Sequence, residues 1–581
     1  MTADPTTRPT LFPRAAREAA EQAVAALGPE ADVLGRTDPA DLGASLFRAL
    51  ARSAGHPVEV AAAVLKFMAV LSRIAPAAMA RAVGHGAAAP PLPEDPKDRR
   101  FADPAWTGNA GFFALRQVYL AVAELCADLV AAGTTDPAAE AKARLVMDLL
   151  VDAIAPTNFF PTNPAALVRA MQTGGRSTAS GLRNFVSDVV HNGGRPRQVD
   201  VSGFEVGRNL AATPGKVVYR NDLMELLQYA PQTPQVHAVP LLASPPWINK
   251  YYVMDLAPER SFVEWAVRHG RTVFAISYRN PDAAMRDVGL DDYLIHGPRT
   301  ALDVITDITG SERVDVVGLC LGGAMTAMTA AHLVETGEQR IGTITLLNTL
   351  LDYSEPGVLG AFTDERVVAR MERRMARTGY LDGAEMAATF DILRPNDLIF
   401  NYVVSNWLLG ERPPAFDILA WNSDSTRMPA AMHAFYLRSL YGRNELARGE
   451  LTLAGTRLDL GDVTNDAYVV GAVNDHIVPW TSSYQATKLL GGHVRYVLSS
   501  GGHIAGIVNP PHPKAWYETA EDRSADPARW RAAASRQAGS WWEDWAVWGA
   551  QRAGALIDPP PMGSPLHPVL GDAPGSYVTQ A

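Results

Sequence analysis

The sequence predicts an α/β protein, a mostly parallel sheet carrying a nucleophilic cysteine and preceded by a mainly helical region. Three observations carry that expectation. Beyond about residue 200, short apolar runs alternate with helical stretches, the pattern of strand–helix–strand units in a parallel sheet. The pentapeptide Gly318-Leu319-Cys320-Leu321-Gly322 lies between a strand-like run, 313–317, and a helix-like run, 323–333. Asp475 and His503 then follow two later strand-like runs, in that order.

The elements read in chain order as follows. About the first 40 residues read as loosely ordered, and 41–167 as helical. Pro57 suits the first turn of a helix that carries Val60, Leu65, Met68 and Leu71. Residues 109–132 place Leu115, Val118, Val122, Leu125 and Leu129 at helical spacing, with Gly133 as the stop. Asp136-Pro137 reads as a cap and first-turn proline opening a helix through Ile154. Proline, asparagine and glycine then cluster at 156–164 and 192–196 and separate this half, 1–200, from a second domain, 201–581. Predicted strands there are 238–243, 272–277, 314–317, 343–347, 467–472 and 494–498. An insert of irregular helical character, 352–461, divides the fourth from the fifth, and its length makes it a cap, not a loop. Near the end, Trp541, Trp545 and Trp548 share a helix face with Trp542 beside them, a pattern of core docking.

A glycine two residues to either side of a nucleophile, between strand and helix, is the elbow of an α/β-hydrolase fold. The turn is crowded and strained, so the flanking positions exclude side chains. Most such elbows hold serine. A cysteine there, at a helix N-terminus with a histidine nearby, suits exchange of one thioester for another.

Composition excludes several alternatives. Apolar content of 47% and charged content of 20% are those of an ordinary globular protein. The formal net charge of -10 gives nucleic-acid binding no support. Cys126 and Cys320 are the only cysteines, so no disulfide framework organises the chain, and a reducing cytoplasmic setting is expected. Residues 1–17 lack the apolar core of a signal peptide. The most apolar window, 58–83, is broken by Lys66, Arg73, Pro76 and Arg81, so no transmembrane segment is expected. No His/Cys/Asp cluster has metal-ligand spacing and no phosphate-binding glycine motif appears, so no metal and no nucleotide cofactor are expected.

The fold orders its triad as nucleophile, acid, histidine, which makes Cys320, Asp475 and His503 the expected set. His476 adjoins Asp475 and competes as the base. In the expected chemistry His503 takes the Cys320 proton, Asp475 orients the imidazole, and the thiolate attacks an acyl carbonyl. The oxyanion hole would combine the Leu321 N–H with a donor from the 245–250 loop. Trp247, Ile248 and Asn249 can each supply it, and Ile248 is taken as the candidate. The motif alone leaves the acceptor open, water or an alcohol.

Further motifs bear on that choice: Pro245-Pro246-Trp247-Ile248-Asn249-Lys250-Tyr251-Tyr252, Ser277-Tyr278-Arg279-Asn280-Pro281-Asp282, Leu393-Arg394-Pro395-Asn396-Asp397-Leu398, Trp421-Asn422-Ser423-Asp424, Asp475-His476-Ile477-Val478-Pro479-Trp480 and Gly502-His503-Ile504-Ala505-Gly506. With the cysteine box, the chain resembles the polyhydroxyalkanoate synthases over nearly all of about 200–555. The resemblance implies polymerisation of (R)-3-hydroxyacyl-CoA into a storage polyester with release of CoA, through an acyl-cysteine. Cys320, His503 and Asp475 carry the family's site. It implies a long single-subunit type, no cofactor beyond the CoA thioester substrate, a homodimer, and a cytoplasmic location at the surface of polyester granules with granule-coating proteins as partners. Residues 206–221 resemble the medium-chain subclass and 503–506 the short-chain one. His476, Asn249, Arg394, Asp397, Trp421 and Asp424 are candidates for supporting the site, holding the cap or meeting substrate. Two rivals stand beside this reading. One is a cysteine hydrolase of the dienelactone type, which is compact and lacks the long N-terminal region and insert; the other is a non-enzymatic granule coat.

Overall fold

The computed structural model describes residues 39–84, 89–96, 98–134, 137–363, 365–521 and 524–580. The chain divides into two compact units: Met1–Asp200 with Ala388–Pro414, and Val201–Ala387 with Ala415–Ala581. The insert expected to belong wholly to the catalytic domain is therefore shared out. Residues 388–414 group with the first unit, and the rest with the second.

The first unit is helical: α1 (Pro39–Ser53), α2 (Pro57–Ala82), α3 (Ala110–Ala132) and α4 (Pro137–Ala153) lead into shorter helices. Pro57 occupies the first turn of α2, where its missing N–H costs nothing. Asn109 caps α3, its side-chain oxygen accepting from the Gly111 and Phe112 N–H groups. Gly133 ends α3 at φ -96°, so its glycine is not required by a left-handed turn. A Cβ there would strike the Ala49 carbonyl of α1, so close helix approach demands the glycine. The faces differ from those the spacing predicts. Leu65 and Met68 are 69% and 56% exposed, while Ala63, Val70 and Ile74 are buried, the last two packing with Ala121 of α3. On α3, Phe113, Tyr119, Ala121 and Val130 are buried and Val118 is exposed. Apolar side chains ring both helices, so periodicity alone does not say which arc meets a neighbour. The early segment 1–38 and the Asp136 cap lie outside the described residues. Among the described residues, no helix is long and apolar enough to cross a membrane.

The second unit is built on eleven strands: β1 (Gly215–Arg220), β2 (Met224–Tyr229), β3 (Leu241–Ser244), β4 (Val273–Tyr278), β5 (Val314–Leu319), β6 (Ile341–Leu347), β7 (Ala467–Ala472), β8 (Val494–Ser499), β9 (Trp516–Thr519), β10 (Ser535–Ala538) and β11 (Gly571–Asp572). Their order is β10-β9-β8-β7-β6-β5-β3-β4-β2-β1-β11. The central strands β4, β3, β5, β6, β7 and β8 run parallel, and antiparallel strands extend both edges. Every residue of β5 and β7 is buried, as expected of strands covered on both faces. The helix α5 (Leu321–Glu335) follows β5 and is buried from Leu321 to Leu333. Helix α6 (Trp541–Ala550) opens with a Ser540–Glu543 capping box and buries all four of its tryptophans. This is the α/β-hydrolase fold: the parallel strands aim their C-terminal loops at one edge, which brings Cys320, Asp475 and His503 together.

Candidate active site

Cys320 is the hinge between β5 and α5. Its backbone sits at φ 53°, ψ -114°, a conformation that side chains rarely adopt. The strain is held by local bonds. The Cys320 N–H donates to the Leu347 carbonyl at 2.8 Å, and its carbonyl accepts from Gly323 and Ala324. The flanking glycines are required by contact. A Cβ on Gly318 would meet Gly323 and Thr326, one on Gly322 the Ser244 and Pro245 backbone, and one on Gly323 the Thr349 side chain. The thiol is half-buried.

His503 and Asp475 come from the loops after β8 and β7. The imidazole Nδ1–H donates to Asp475 Oδ2 at 2.7 Å, and both side chains are buried. The other carboxylate oxygen accepts from the Ile477 and Val478 N–H groups, each at 2.9 Å, so the carboxylate cannot rotate away. Burial opposes protonation of His503, but Asp475 and then Cys320 outweigh it and push the imidazole up to about 10. His476 is half-buried beside Asp475, and it is His503 that the carboxylate engages.

Several groups hold the His503 loop that sequence reasoning missed. Trp541 and Trp542 of α6 donate their indole N–H groups to the Gly506 and Ile507 carbonyls at 2.9 and 2.8 Å, and Ser540 Oγ donates to Asn509 O. The tryptophans therefore dock the core, as their spacing predicts, and also brace this loop from behind. Asn348, directly after β6, has φ 42° and is fully buried. Its Nδ2 donates to the His503 backbone carbonyl at 2.5 Å. An asparagine tolerates that backbone better than most residues, which is the one signal its sequence carries. We expect Asn348→Gly, which keeps the backbone conformation but deletes the bond, to lower turnover about tenfold in a steady-state assay.

The remaining candidates fall in two places. Ile248 is partly buried in the same core as Cys320, on a loop that packs against the elbow. Leu321 is the first residue of α5, where an N–H has no intrahelical acceptor. Asn249 accepts from the Lys250 N–H at 2.8 Å and bridges to Ser425. Trp421 is buried and donates to the Lys250 carbonyl at 2.8 Å. Asp424 accepts from Tyr252 at 2.9 Å, and burial pushes its carboxyl up, against the pull of Lys250 and Tyr252. Trp421 and Asp424, with the backbone bridge from Asn249 to Ser425, therefore fasten residues 249–252 to residues 421–425 of the insert. Arg394 and Asp397 pair with each other, largely exposed, in the first unit. Three tyrosines went unpredicted, Tyr353 and Tyr436 buried and Tyr441 partly buried. Tyr436 packs against Tyr353 and Tyr441, with ring centroids 6.4 and 5.3 Å away. Burial, chiefly, and the nearby Cys320 sulfur hold all three phenols in their neutral form.

A nucleophile elbow with a buried histidine–carboxylate pair, on this sheet, defines a protein of the α/β-hydrolase class with cysteine in the nucleophile's place. Residues 247–510 match the family profile described as the alpha/beta hydrolase fold, and residues 97–266 match that of the N-terminus of poly-beta-hydroxybutyrate polymerase (PhaC). Poly(3-hydroxyalkanoate) polymerase 1 of Ectopseudomonas oleovorans is 43% identical over 490 residues, covering 84% of this chain and 87% of that protein. The poly(3-hydroxyalkanoate) polymerase of Methylorubrum extorquens is 43% identical over 497 residues, covering 84% and 82%. The polymerase subunit PhaC of Cupriavidus necator is 42% identical over 489 residues, covering 83% of each chain. The chain belongs to the poly(3-hydroxyalkanoate) polymerase family.

Proposed function

We propose that this protein polymerises (R)-3-hydroxyacyl-CoA into a polyester, releasing CoA, by way of an acyl group carried on Cys320. The observation that supports it most is the pairing of His503 with Asp475 at 2.7 Å beside a cysteine elbow, in a chain of this family.

The steps follow from the groups present. His503, held by Asp475, takes the Cys320 thiol proton. The thiolate attacks the thioester carbonyl. The carbon–sulfur bond to CoA breaks, and the departing CoA thiolate recovers the proton from the imidazolium. The 3-hydroxyl of a second unit then gives its proton to His503 and attacks the acyl-cysteine, forming an ester and restoring the Cys320 thiolate. At each stage the oxyanion would be held by the Leu321 N–H and by a donor from the 245–250 loop, for which Ile248 is the candidate. Hydrolysis must be suppressed for the chain to grow, and the aromatic wall of buried Tyr353 and Tyr436 with partly buried Tyr441 serves to exclude water. The same reading carries a homodimer at the surface of polyester granules in the cytoplasm, with no cofactor beyond the CoA thioester.

The test is incubation with (R)-3-hydroxybutyryl-CoA and with longer 3-hydroxyacyl-CoA, following free CoA and product together. CoA release with growing ester-linked product is expected. Release accompanied only by free 3-hydroxy acid contradicts the reading and favours a thioester hydrolase.

A further inference from the structure

Two buried polar side chains around Tyr436 have no protein partner. Trp247 and His433 are each 2% exposed. Trp247 Nε1 and both ring nitrogens of His433 make no hydrogen bond among the described residues. Both rings flank Tyr436, with centroids 6.5 and 6.3 Å from it. The buried indoles of Trp421, Trp541, Trp542 and Trp545 all donate to a carbonyl or hydroxyl, at 2.8 to 3.0 Å. Trp530 is also unpartnered at Nε1, but the tyrosines around it, Tyr484 and Tyr496, are both bonded. Around Tyr436, by contrast, two neighbouring rings both carry unmet groups.

Their place is next to the reaction. Trp247 lies three residues beyond β3, on the loop that presses against the elbow at Gly322. Its own carbonyl accepts from Thr426 Oγ1 at 3.2 Å, so the backbone is held while the indole N–H is left over. Tyr436 and Trp247 both belong to the buried core against which Cys320 packs. Leaving a buried donor or acceptor unbonded costs roughly 1–3 kcal/mol, so three such atoms around one ring need an account.

Their chemistry narrows the ligand. An indole offers one donor. Burial alone pushes His433 down to about 4, so the ring is neutral and offers one donor and one acceptor. An indole and a neutral imidazole carry no charge to balance a phosphate or a carboxylate. The set matches an uncharged unit bearing a carbonyl and a hydroxyl.

We propose that Trp247 and His433 form a subsite for the hydroxyl-terminated end unit of the growing polyester, the indole and imidazole bonding its carbonyl and its 3-hydroxyl. This rests on the function proposed above and names which part of the substrate is held beside Cys320.

The experiment compares the intact protein with Trp247→Phe and His433→Phe, using (R)-3-hydroxybutyryl-CoA. Acylation of Cys320 is read in a single turnover and elongation as ester bonds formed per site. Elongation is expected to fall about tenfold further than acylation, the loss of one or two hydrogen bonds, with shorter product chains. His433→Phe is expected to keep or raise the thermal midpoint, because it removes unbonded polar atoms. Trp247→Phe gives the same comparison should His433→Phe fail to fold. Elongation and acylation falling in step, or both staying at the parent level, overturns the subsite and leaves bridging water as the partner of these atoms. A parent protein that releases no CoA instead overturns the proposed function, so the two failures are distinguishable.

Discussion

Cys320→Ala is expected to abolish CoA release, by roughly 10,000-fold or more, while the protein keeps its thermal midpoint. The thiol is the only group on the elbow that can hold an acyl unit between two partners. Alanine removes it with little change in shape. The backbone at φ 53° is strained for cysteine and alanine alike, and the bond from residue 320 N–H to Leu347 O does not involve the side chain. The glycines at 318, 322 and 323, on which the turn depends, are untouched. Fold and chemistry therefore separate cleanly. Steady-state CoA release and a melting curve on the same preparation make the check. Substantial turnover in a folded Cys320→Ala protein would mean that another group carries the acyl chain.

Asp475→Asn is expected to cost about a thousandfold in turnover, again with the fold retained. The remaining oxygen can still accept from Ile477 and Val478. The new amide N–H then faces His503 Nδ1 and donates to it, which moves the imidazole proton to Nε2. That nitrogen is the one that must accept from the thiol. The charge is lost as well. With Asp475 and Cys320 in place the imidazole is raised from 6.5 to about 10. A histidine raised on folding stabilises the protein fully below its unfolded value, near 6.5, and loses that contribution as pH rises through its folded value. Asp475→Asn leaves burial dominant, so the imidazole should fall and the stability advantage between pH 6.5 and about 10 should shrink. Unfolding midpoints measured across that range, alongside the pH dependence of Cys320 alkylation, report the change. Parent-like turnover, or an unchanged stability profile, counts against the pairing.

The site was legible in the sequence where its determinants are local. Two glycines about a cysteine need no long-range information, because crowding by the next strand and helix is built into the turn. The order of Asp475 and His503 after successive strands follows from the topology of a parallel sheet. The six parallel strands were legible for a related reason: strands covered on both faces are continuous apolar runs. What escaped depends on residues far apart in the chain. Strand β2 carries Glu225, which reads as a surface residue. It is fully buried because Arg220, the Ser576 hydroxyl and N–H, and the Tyr577 N–H satisfy it, and three of those groups lie some 350 residues away. The short edge strands β9, β10 and β11 pair antiparallel and carry mixed side chains with no apolar run to reveal them. Asn348 became visible only once β6 lay beside the His503 loop. Trp247 and His433 stand almost 200 residues apart and meet only across Tyr436. The faces of α2 and α3 were misread because both helices are apolar on more than one side.

The account turns on a covalent bond between substrate and one sulfur. The most direct measurement is intact-protein and peptide mass spectrometry after rapid quenching with (R)-3-hydroxybutyryl-CoA, in the Asp475→Asn protein, where turnover is slow. The account predicts a hydroxyacyl mass increment on the peptide containing Cys320, absent from Cys320→Ala and growing by whole repeat units with time. A protein that makes polyester while residue 320 stays unmodified would contradict it.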